Sequence, residues 1–179
     1  MKKSYIDIYS LVPLLSHQLQ KDEGIIVIQN NHLLFTLKVL KHHIGYRYTL
    51  LSCISGVDLL DRNYRFSVVY DLLSLTYNSR VRVKVFIDEI TFVPSSCEIY
   101  INADWWEREI WDLYGIYFDK HPDLRRILTD YGFEGHPLRK DFPLSGHVEA
   151  CYSECKKRVI LEPLELSQEF CFYTFETPW

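Results

Sequence analysis

The densest chemistry in the sequence is the run Trp105-Trp106-Glu107-Arg108-Glu109-Ile110-Trp111-Asp112. Its carboxylates raise acid–base catalysis, in which one group gives a proton and another takes it. The spacing argues against that chemistry. Glu107 and Glu109 are two apart, and on a helix they diverge by about 200°. Glu109 and Asp112 share a face, but Arg108 stands four before Asp112 and is placed to pair with it. The run therefore reads as a salt-bridged helix. A second cluster follows, His121-Pro122-Asp123-Leu124-Arg125-Arg126-Ile127-Leu128. Paired arginines clamp anionic ligands, and they also form planar ion pairs with carboxylates of a neighbouring subunit. Cys151 and Cys155 are four apart with His147 nearby. Two thiols at that spacing hold neither an iron–sulfur cluster nor a tetrahedral zinc.

Other enzyme signatures are absent from the sequence. The glycines are isolated, with no phosphate-binding loop after a strand, and no Gly-x-Ser-x-Gly elbow occurs. His42 and His43 are adjacent and project in different directions. His121, His136 and His147 fall among loops and read as surface or hydrogen-bonded groups. Cys53, Cys97, Cys151, Cys155 and Cys171 make an odd set without framework spacing, which predicts free thiols in a reducing compartment.

The elements that must position these clusters follow from periodicity. Pro13 suits a helix start, and Leu14, Leu15, Gln18 and Leu19 continue at helical spacing until Gly24. Residues 24–29 carry Ile25, Ile26, Val27 and Ile28 and predict a buried strand. Residues 33–43 show a helical stripe at Leu33, Leu34, Leu37 and Leu40. Residues 46–55, 63–75 and 79–87 read as strands, the last two joined by a turn at Tyr77-Asn78-Ser79. In the third of these, Val81, Val83 and Val85 alternate with Arg80, Arg82 and Lys84, one face buried and one wet. Residues 95–101 suggest a short helix. A stronger helix spans 104–114, with Asp104 as N-cap, Glu107 completing a capping box, and Gly115 at the left-handed C-terminal position. Trp106, Ile110, Leu113 and Tyr114 line one of its faces. Pro122 predicts another helical turn. From Tyr131 onward neither period is visible, so residues 131–179 read as a segment that lies on another molecule's surface and is protease-sensitive when free.

Composition sets the outer limits. A chain of 179 residues with 47% apolar and 25% charged residues can bury a core without metal or disulfide staples. A net charge of −4 leaves no basic excess to neutralise phosphates, which disfavours nucleic-acid binding. No apolar run reaches the length of a membrane-spanning helix, and the N-terminus lacks a signal- or transit-peptide pattern. The 15% aromatic content fits either interface residues or the codon usage of an AT-rich genome.

The spacing Glu107-Arg108-Glu109, Asp112-Leu113-Tyr114, His121, Arg125 and Ile127-Leu128 resembles the signature of the thirty-kilodalton subunit of respiratory complex I. The stretch from Asp123 to Gly146 is similar to that family throughout, as are Gly56-Val57-Asp58, Phe66–Tyr70 and Asn78-Ser79-Arg80. The resemblance covers residue 24 to the C-terminus and is greatest to members encoded in mitochondria. Asp104 departs from the glycine or asparagine of the pattern, and Cys151 and Cys155 are not family features.

The resemblance implies an α+β fold: a small mixed sheet with flanking helices in residues 1–130, then the long extended C-terminal segment 131–179. It implies a core, non-catalytic scaffold subunit in the quinone module of the hydrophilic arm, with NADH-to-ubiquinone electron transfer belonging to the whole assembly. It implies no cofactor in this chain, with FMN and iron–sulfur clusters in partner subunits. The forty-nine-kilodalton subunit and other arm subunits are the implied partners. The implied location is the matrix side of the mitochondrial inner membrane, or the cytoplasmic face of a bacterial plasma membrane. An equivalent subunit of a chloroplast or hydrogenase-type relative is the alternative. Trp105, Trp106 and Trp111 are implied packing anchors. Arg125, Arg126, Arg139 and Lys140 are implied ion-pair partners of neighbours, beside the signature residues Glu107, Arg108, Glu109, Asp112 and His121.

Overall fold

The computed structural model describes residues 11–20, 23–165 and 176. Its centre is a five-stranded sheet in the order β1-β2-β5-β4-β3, formed by β1 (Leu14–Gln20), β2 (Glu23–Ile28), β3 (Leu50–Asp58), β4 (Phe66–Ser74) and β5 (Ser79–Ile87). Only β2 and β5 pair in parallel; the other three pairs are antiparallel, so the sheet is mixed. The alternation in β5 holds, with Val81, Val83 and Val85 buried and Arg80 exposed. β4 lies between β5 and β3 and buries residues on both faces, among them Phe66, Val68, Val69, Tyr70 and Leu72. Such a strand is built from β-branched and aromatic residues because they fill a pleated surface.

Helix α1 (Leu33–His42) buries Leu33, Leu37 and Leu40, the predicted stripe. Burying each such leucine stabilises the fold by about 1.5–3 kcal/mol. Helix α2 (Ala103–Tyr114) packs on β3 and ends at Gly115, whose φ of 76° is the left-handed stop the sequence predicts. Gly56 in β3 is what lets the two approach: a Cβ there would stand 2.7 Å from Cδ2 of Tyr114. Two two-stranded ribbons complete the fold. They are β6 (Val93–Pro94) with β7 (Phe118–Asp119), and β8 (Val148–Ser153) with β9 (Arg158–Pro163). The α+β class stands. No helix among the described residues is long and apolar enough to cross a membrane.

Several local expectations are corrected. The helix expected after Pro13 is strand β1. It pairs with β2, whose buried Ile25, Ile26 and Ile28 mark an interior strand that needs a partner on each side. The helical stripe would have had no surface to cover, since Leu15 and Leu19 stay exposed in the strand. Residues 95–101 form hydrogen-bonded turns, with Ile99 and Tyr100 amides both donating to the Ser96 carbonyl, and no helix. The helix of the signature begins at Ala103, not with an Asp104 cap, and Asn102 at its start makes no side-chain capping bond. Instead Asn102 Nδ2 donates to the Leu51 carbonyl. Pro122 opens no helical turn; residues 121–130 are a loop. Residues 131–147 are irregular as expected, but a hairpin follows them where no strand period was read. Residues 166–175 and 177–179 of the expected C-terminal segment, Cys171 among them, lie outside the described residues.

Candidate functional site

Three carboxylates of the region around α2 organise the chain, and each is consumed by the protein itself. Glu107 is fully buried. It accepts hydrogen bonds from the Ser95 hydroxyl and from both the amide and the hydroxyl of Ser96, each at 2.7 Å, and from the Cys97 thiol at 3.5 Å. This explains two misread features at once. Glu107 is not a capping-box residue, and residues 95–97 do not become helix because their donors converge on its carboxylate. A buried carboxylate persists only when its oxygens are satisfied in this way.

His121 closes the other side of this pocket. Its side chain is fully buried, with Nε2 3.2 Å from the Asp104 carbonyl oxygen, 3.1 Å from Asp104 Oδ1 and 3.9 Å from Glu107 Oε2. Cys97, Asp104 and His121 thus bring a thiol, a carboxylate and an imidazole within 4.8 Å of one another, a donor set a metal could use. The hydrogen bonds argue against that use. Nδ1 of His121 accepts the Asp123 amide at 3.1 Å, so the ring proton sits on Nε2 and points at Asp104. Ligation through Nε2 would require that proton to leave. The Cys97 thiol is pushed up to about 11 by burial and by Glu107, which favours the protonated donor form. Hydrogen bonds engage His121, through the Asp104 carbonyl and the Asp123 amide, and Cys97, through Glu107, whereas Oδ1 of Asp104 is buried without one. The remaining free cysteines, Cys53, Cys151 and Cys155, lie on β3, on β8 and in the β8–β9 turn. Among the described residues, no group of donors brings together the several thiolates an iron–sulfur cluster needs.

Asp112 is likewise buried, and it holds the arginine loop. Its Oδ2 accepts the successive amides of Ile127, Leu128 and Thr129 at 3.2, 2.7 and 2.9 Å. Its Oδ1 accepts the Thr129 hydroxyl at 2.6 Å and Arg126 Nη1 at 3.3 Å. Burial raises the carboxyl pKa, but the Thr129 hydroxyl and the three amides outweigh it and hold Asp112 below the usual carboxylate range. The amides a helical turn would have used internally go to this carboxylate, which is why Pro122 starts no helix. The expected pair of Arg108 with Asp112 does not form. Arg108 Nε donates to the Arg125 carbonyl at 3.3 Å, so the arginine steadies the same loop by another route.

Asp58, at the end of β3, is the third carboxylate. It receives Arg65 through Nε and Nη2 at 2.9 and 3.0 Å, and the Lys140 amide at 2.9 Å. Arg65 also reaches Glu89 at 2.5 Å and Asp141 at 2.9 Å. The guanidinium of Arg65 holds Asp58 below its ordinary value. Arg139 Nε donates to the Tyr114 carbonyl at 2.6 Å, and its guanidinium and that of Arg65 both lie over the Phe66 ring. His136 Nδ1 donates to the Asp112 carbonyl at 2.9 Å, and the Leu138 amide to Leu113. The segment from residue 136 to 141 is therefore tied to the end of α2 and to the β3–β4 edge.

The predicted residues thus separate into two groups. Glu107, Asp112, His121, Arg126 and Arg139 converge on internal hydrogen bonds, and Trp106 and Trp111 pack within the chain, Trp111 edge-on to Tyr117 at 6.0 Å. Trp105 is 68% exposed, and Arg125, paired at 3.0 Å with Asp123, is mostly in solvent. Lys140 uses only its amide, and its side chain is exposed. Glu109 is half-buried and joins none of the three clusters. Asp58 and Arg65, Ser95 and Ser96, Thr129 and His136 were not singled out for this work by their spacing. The usable signal was burial demand: a polar residue amid apolar strand or helix positions must find partners elsewhere.

His136, Arg139 and Asp141 of these clusters line an open cavity together with Gly135, Phe142 and His147. A family model described as respiratory-chain NADH dehydrogenase, 30 Kd subunit, matches residues 26–148. The chain is 52% identical to NADH-ubiquinone oxidoreductase subunit 9 of Reclinomonas americana, over 89% of this chain and 78% of that protein. It is 52% identical to NADH dehydrogenase [ubiquinone] iron-sulfur protein 3 of Oryza sativa subsp. japonica, over 91% of this chain and 87% of that protein. A chain in the solved structure of the membrane-bound sulfane sulfur reductase, an archaeal respiratory membrane complex, shares the fold. Its TM-score is 0.67 at 22% identity, covering 78% of this chain and 83% of that one. Family model and relatives both span most of the described sheet, α2 and the arginine loop: the chain belongs to the family of the 30 kDa subunit of respiratory-chain NADH dehydrogenase.

Proposed function

We propose that this chain is a non-catalytic structural subunit of the peripheral arm of respiratory complex I, supporting NADH:ubiquinone reduction by the whole assembly. The observation that carries the reading is the commitment of its chemistry-bearing side chains. Glu107, Asp112 and Asp58 are each saturated by hydrogen bonds from their own chain, which suits shape-holding. Flavin and iron–sulfur chemistry belongs to partner subunits. The forty-nine-kilodalton subunit is the main partner in this reading, in the quinone module on the matrix side of the mitochondrial inner membrane. Trp105, Arg125 and Lys140 are the signature side chains left facing outward, and they are the contacts we assign to neighbours. The C-terminal segment 131–179 lies on partner surfaces, with residues 136–141 as its tether to this chain.

The test is a tagged copy of the full chain purified from its native membranes, with mass spectrometry of the proteins that come with it. The expected result is co-purification with NADH dehydrogenase activity and the forty-nine-kilodalton subunit. Migration as a small free protein away from that activity overturns the reading. Turnover by the isolated, folded chain that is lost in Glu109→Gln would establish an enzyme instead.

A further inference from the structure

Asp104 Oδ1 is buried and accepts no hydrogen bond. A carboxylate oxygen in that position calls for a cation or a water. It stands 3.1 Å from His121 Nε2, and these two atoms and Cys97 Sγ all lie within 4.8 Å of one another. Glu107 adds a fourth donor, its Oε2 3.5 Å from Cys97 Sγ and 3.9 Å from His121 Nε2. Asp104 and Glu107 are three apart at the start of α2, so both carboxylates project from one side of the helix. Cys97 arrives from the turns before α2, and His121 from the loop after β7. The side chains of Glu107 and His121 are fully buried, which holds two of the four donors in the core. The Tyr70 hydroxyl, wholly buried in β4 and without a hydrogen-bond partner, lies close enough to feel the charges of Glu107 and Cys97.

One thiol, one imidazole and two carboxylates suit zinc, whereas magnesium and calcium take oxygen ligands. Zinc bonds of about 2.0–2.3 Å set tetrahedral ligand atoms roughly 3.3–3.8 Å apart. The separations of 3.1, 3.5 and 3.9 Å bracket that range. Glu107 can ligate without giving up its serines. Oε1 keeps the Ser96 bonds, and Oε2 has lone pairs for both the Ser95 hydroxyl and a metal.

The hydrogen bonds that oppose a cation come down to two protons. The Cys97 thiol gives its proton to solvent as the sulfur–zinc bond forms. The His121 proton leaves Nε2 and one is taken up at Nδ1, so the imidazole stays neutral. The Asp123 amide bond to Nδ1 is then given up, and the new Nδ1–H donates to water or a carboxylate of that exposed loop. Metal binding thus releases a net single proton.

We infer that Cys97, Asp104, Glu107 and His121 form a zinc site that pins the turns before α2 and the loop after β7 to the first turn of that helix. Four protein ligands leave the metal no open position, so its role is structural. The inference does not depend on the chain's place in an assembly.

The experiment uses the full-length chain, reduced and stripped with a chelator, then titrated with Co2+ alone and afterwards with Zn2+ alone. The expected result is one Co2+ per chain, with thiolate-to-cobalt charge-transfer absorption and tetrahedral d–d bands that Zn2+ abolishes. Zinc should also raise the melting temperature. Cys97→Ser should lose the charge-transfer band. Asp104→Asn should weaken binding at least about tenfold. Cys151→Ser with Cys155→Ser should behave as the parent chain. A folded parent chain without cobalt absorption overturns the site. So does a charge-transfer band that survives Cys97→Ser or vanishes in the Cys151→Ser, Cys155→Ser chain. Where Cys97→Ser does not fold, undiminished affinity in Asp104→Asn, whose side chain is partly exposed, overturns it equally. A melting temperature that bound zinc leaves unchanged overturns the structural role.

Discussion

The Thr129 hydroxyl donates to Oδ1 of Asp112 at 2.6 Å across 17 residues of sequence, and the Thr129 amide donates to Oδ2 of the same carboxylate. One side chain of a helix thereby sets the path of the loop that carries Arg125 and Arg126. The loop needs no periodic structure of its own, because its amides have a fixed acceptor.

Replacing that acceptor is expected to release the loop more than the fold. Asp112→Asn removes the charge that Arg126 meets and turns one acceptor into a donor facing N–H groups. We expect a loss of about 1–3 kcal/mol in urea unfolding. Hydrogen exchange should accelerate at Ile127, Leu128 and Thr129 before it does in β4. Unchanged protection of those three amides would refute the role given to Asp112.

Acid should weaken the fold through Asp58 and Asp112. Both titrate below 3.8 when folded, Asp58 chiefly through Arg65 and Asp112 through Thr129 and the loop amides, against burial. In the unfolded chain they return to about that value. The stability they supply is complete above about pH 5 and is lost as pH falls through the folded values. Urea midpoints should therefore drop as pH falls below about 4, and the drop should shrink in Asp58→Asn, whose stability at neutral pH is already reduced. A midpoint that rises with acid contradicts the assignment.

Glu107 is expected to be sensitive to shape and polarity together. Glu107→Ala strands the Ser96 amide and two serine hydroxyls in a buried cavity, at a cost of about 3–5 kcal/mol. Glu107→Gln keeps one carbonyl oxygen and lets a rotatable serine hydroxyl accept, so it should cost less. Denaturant unfolding of both variants checks the order, and equal losses would mean that the hydrogen bonds are incidental.

The contact of Gly56 with Tyr114 yields a steric prediction. Gly56→Ala places a methyl 2.7 Å from the Tyr114 ring, so α2 must shift or the ring must turn. Overpacking of this kind costs about 1–3 kcal/mol. Tyr114→Leu in the same chain should recover part of the melting temperature by removing the clash.

Limited proteolysis separates the two parts of the C-terminal region. Trypsin should cut the free chain at Lys156, Lys157 and Arg158 in the exposed hairpin turn well before Arg139 and Lys140, which are tied to Tyr114 and Asp58. Arg65→Met loosens the Asp58 and Asp141 bonds and should expose the 139–140 site. Early cleavage there in the parent chain would show that the tether is weak.

Much of the sheet was legible from residue order alone. The alternation of Val81, Val83 and Val85, the stripe at Leu33, Leu37 and Leu40, and the stop at Gly115 depend on neighbours in sequence, because period and backbone freedom are local properties. The family signature was legible for the same reason, as fixed residues at fixed spacing. What the tertiary structure decided was every outcome that depended on a distant partner. Leu14–Gln20 became a strand because β2 had an open edge, and residues 121–130 became a loop because Asp112 captured their amides. Arg108 went to a carbonyl rather than to the carboxylate four residues on. Backbone N–H groups and buried carboxylates must be satisfied somewhere, and the choice among acceptors far apart in sequence exists only once the chain has folded.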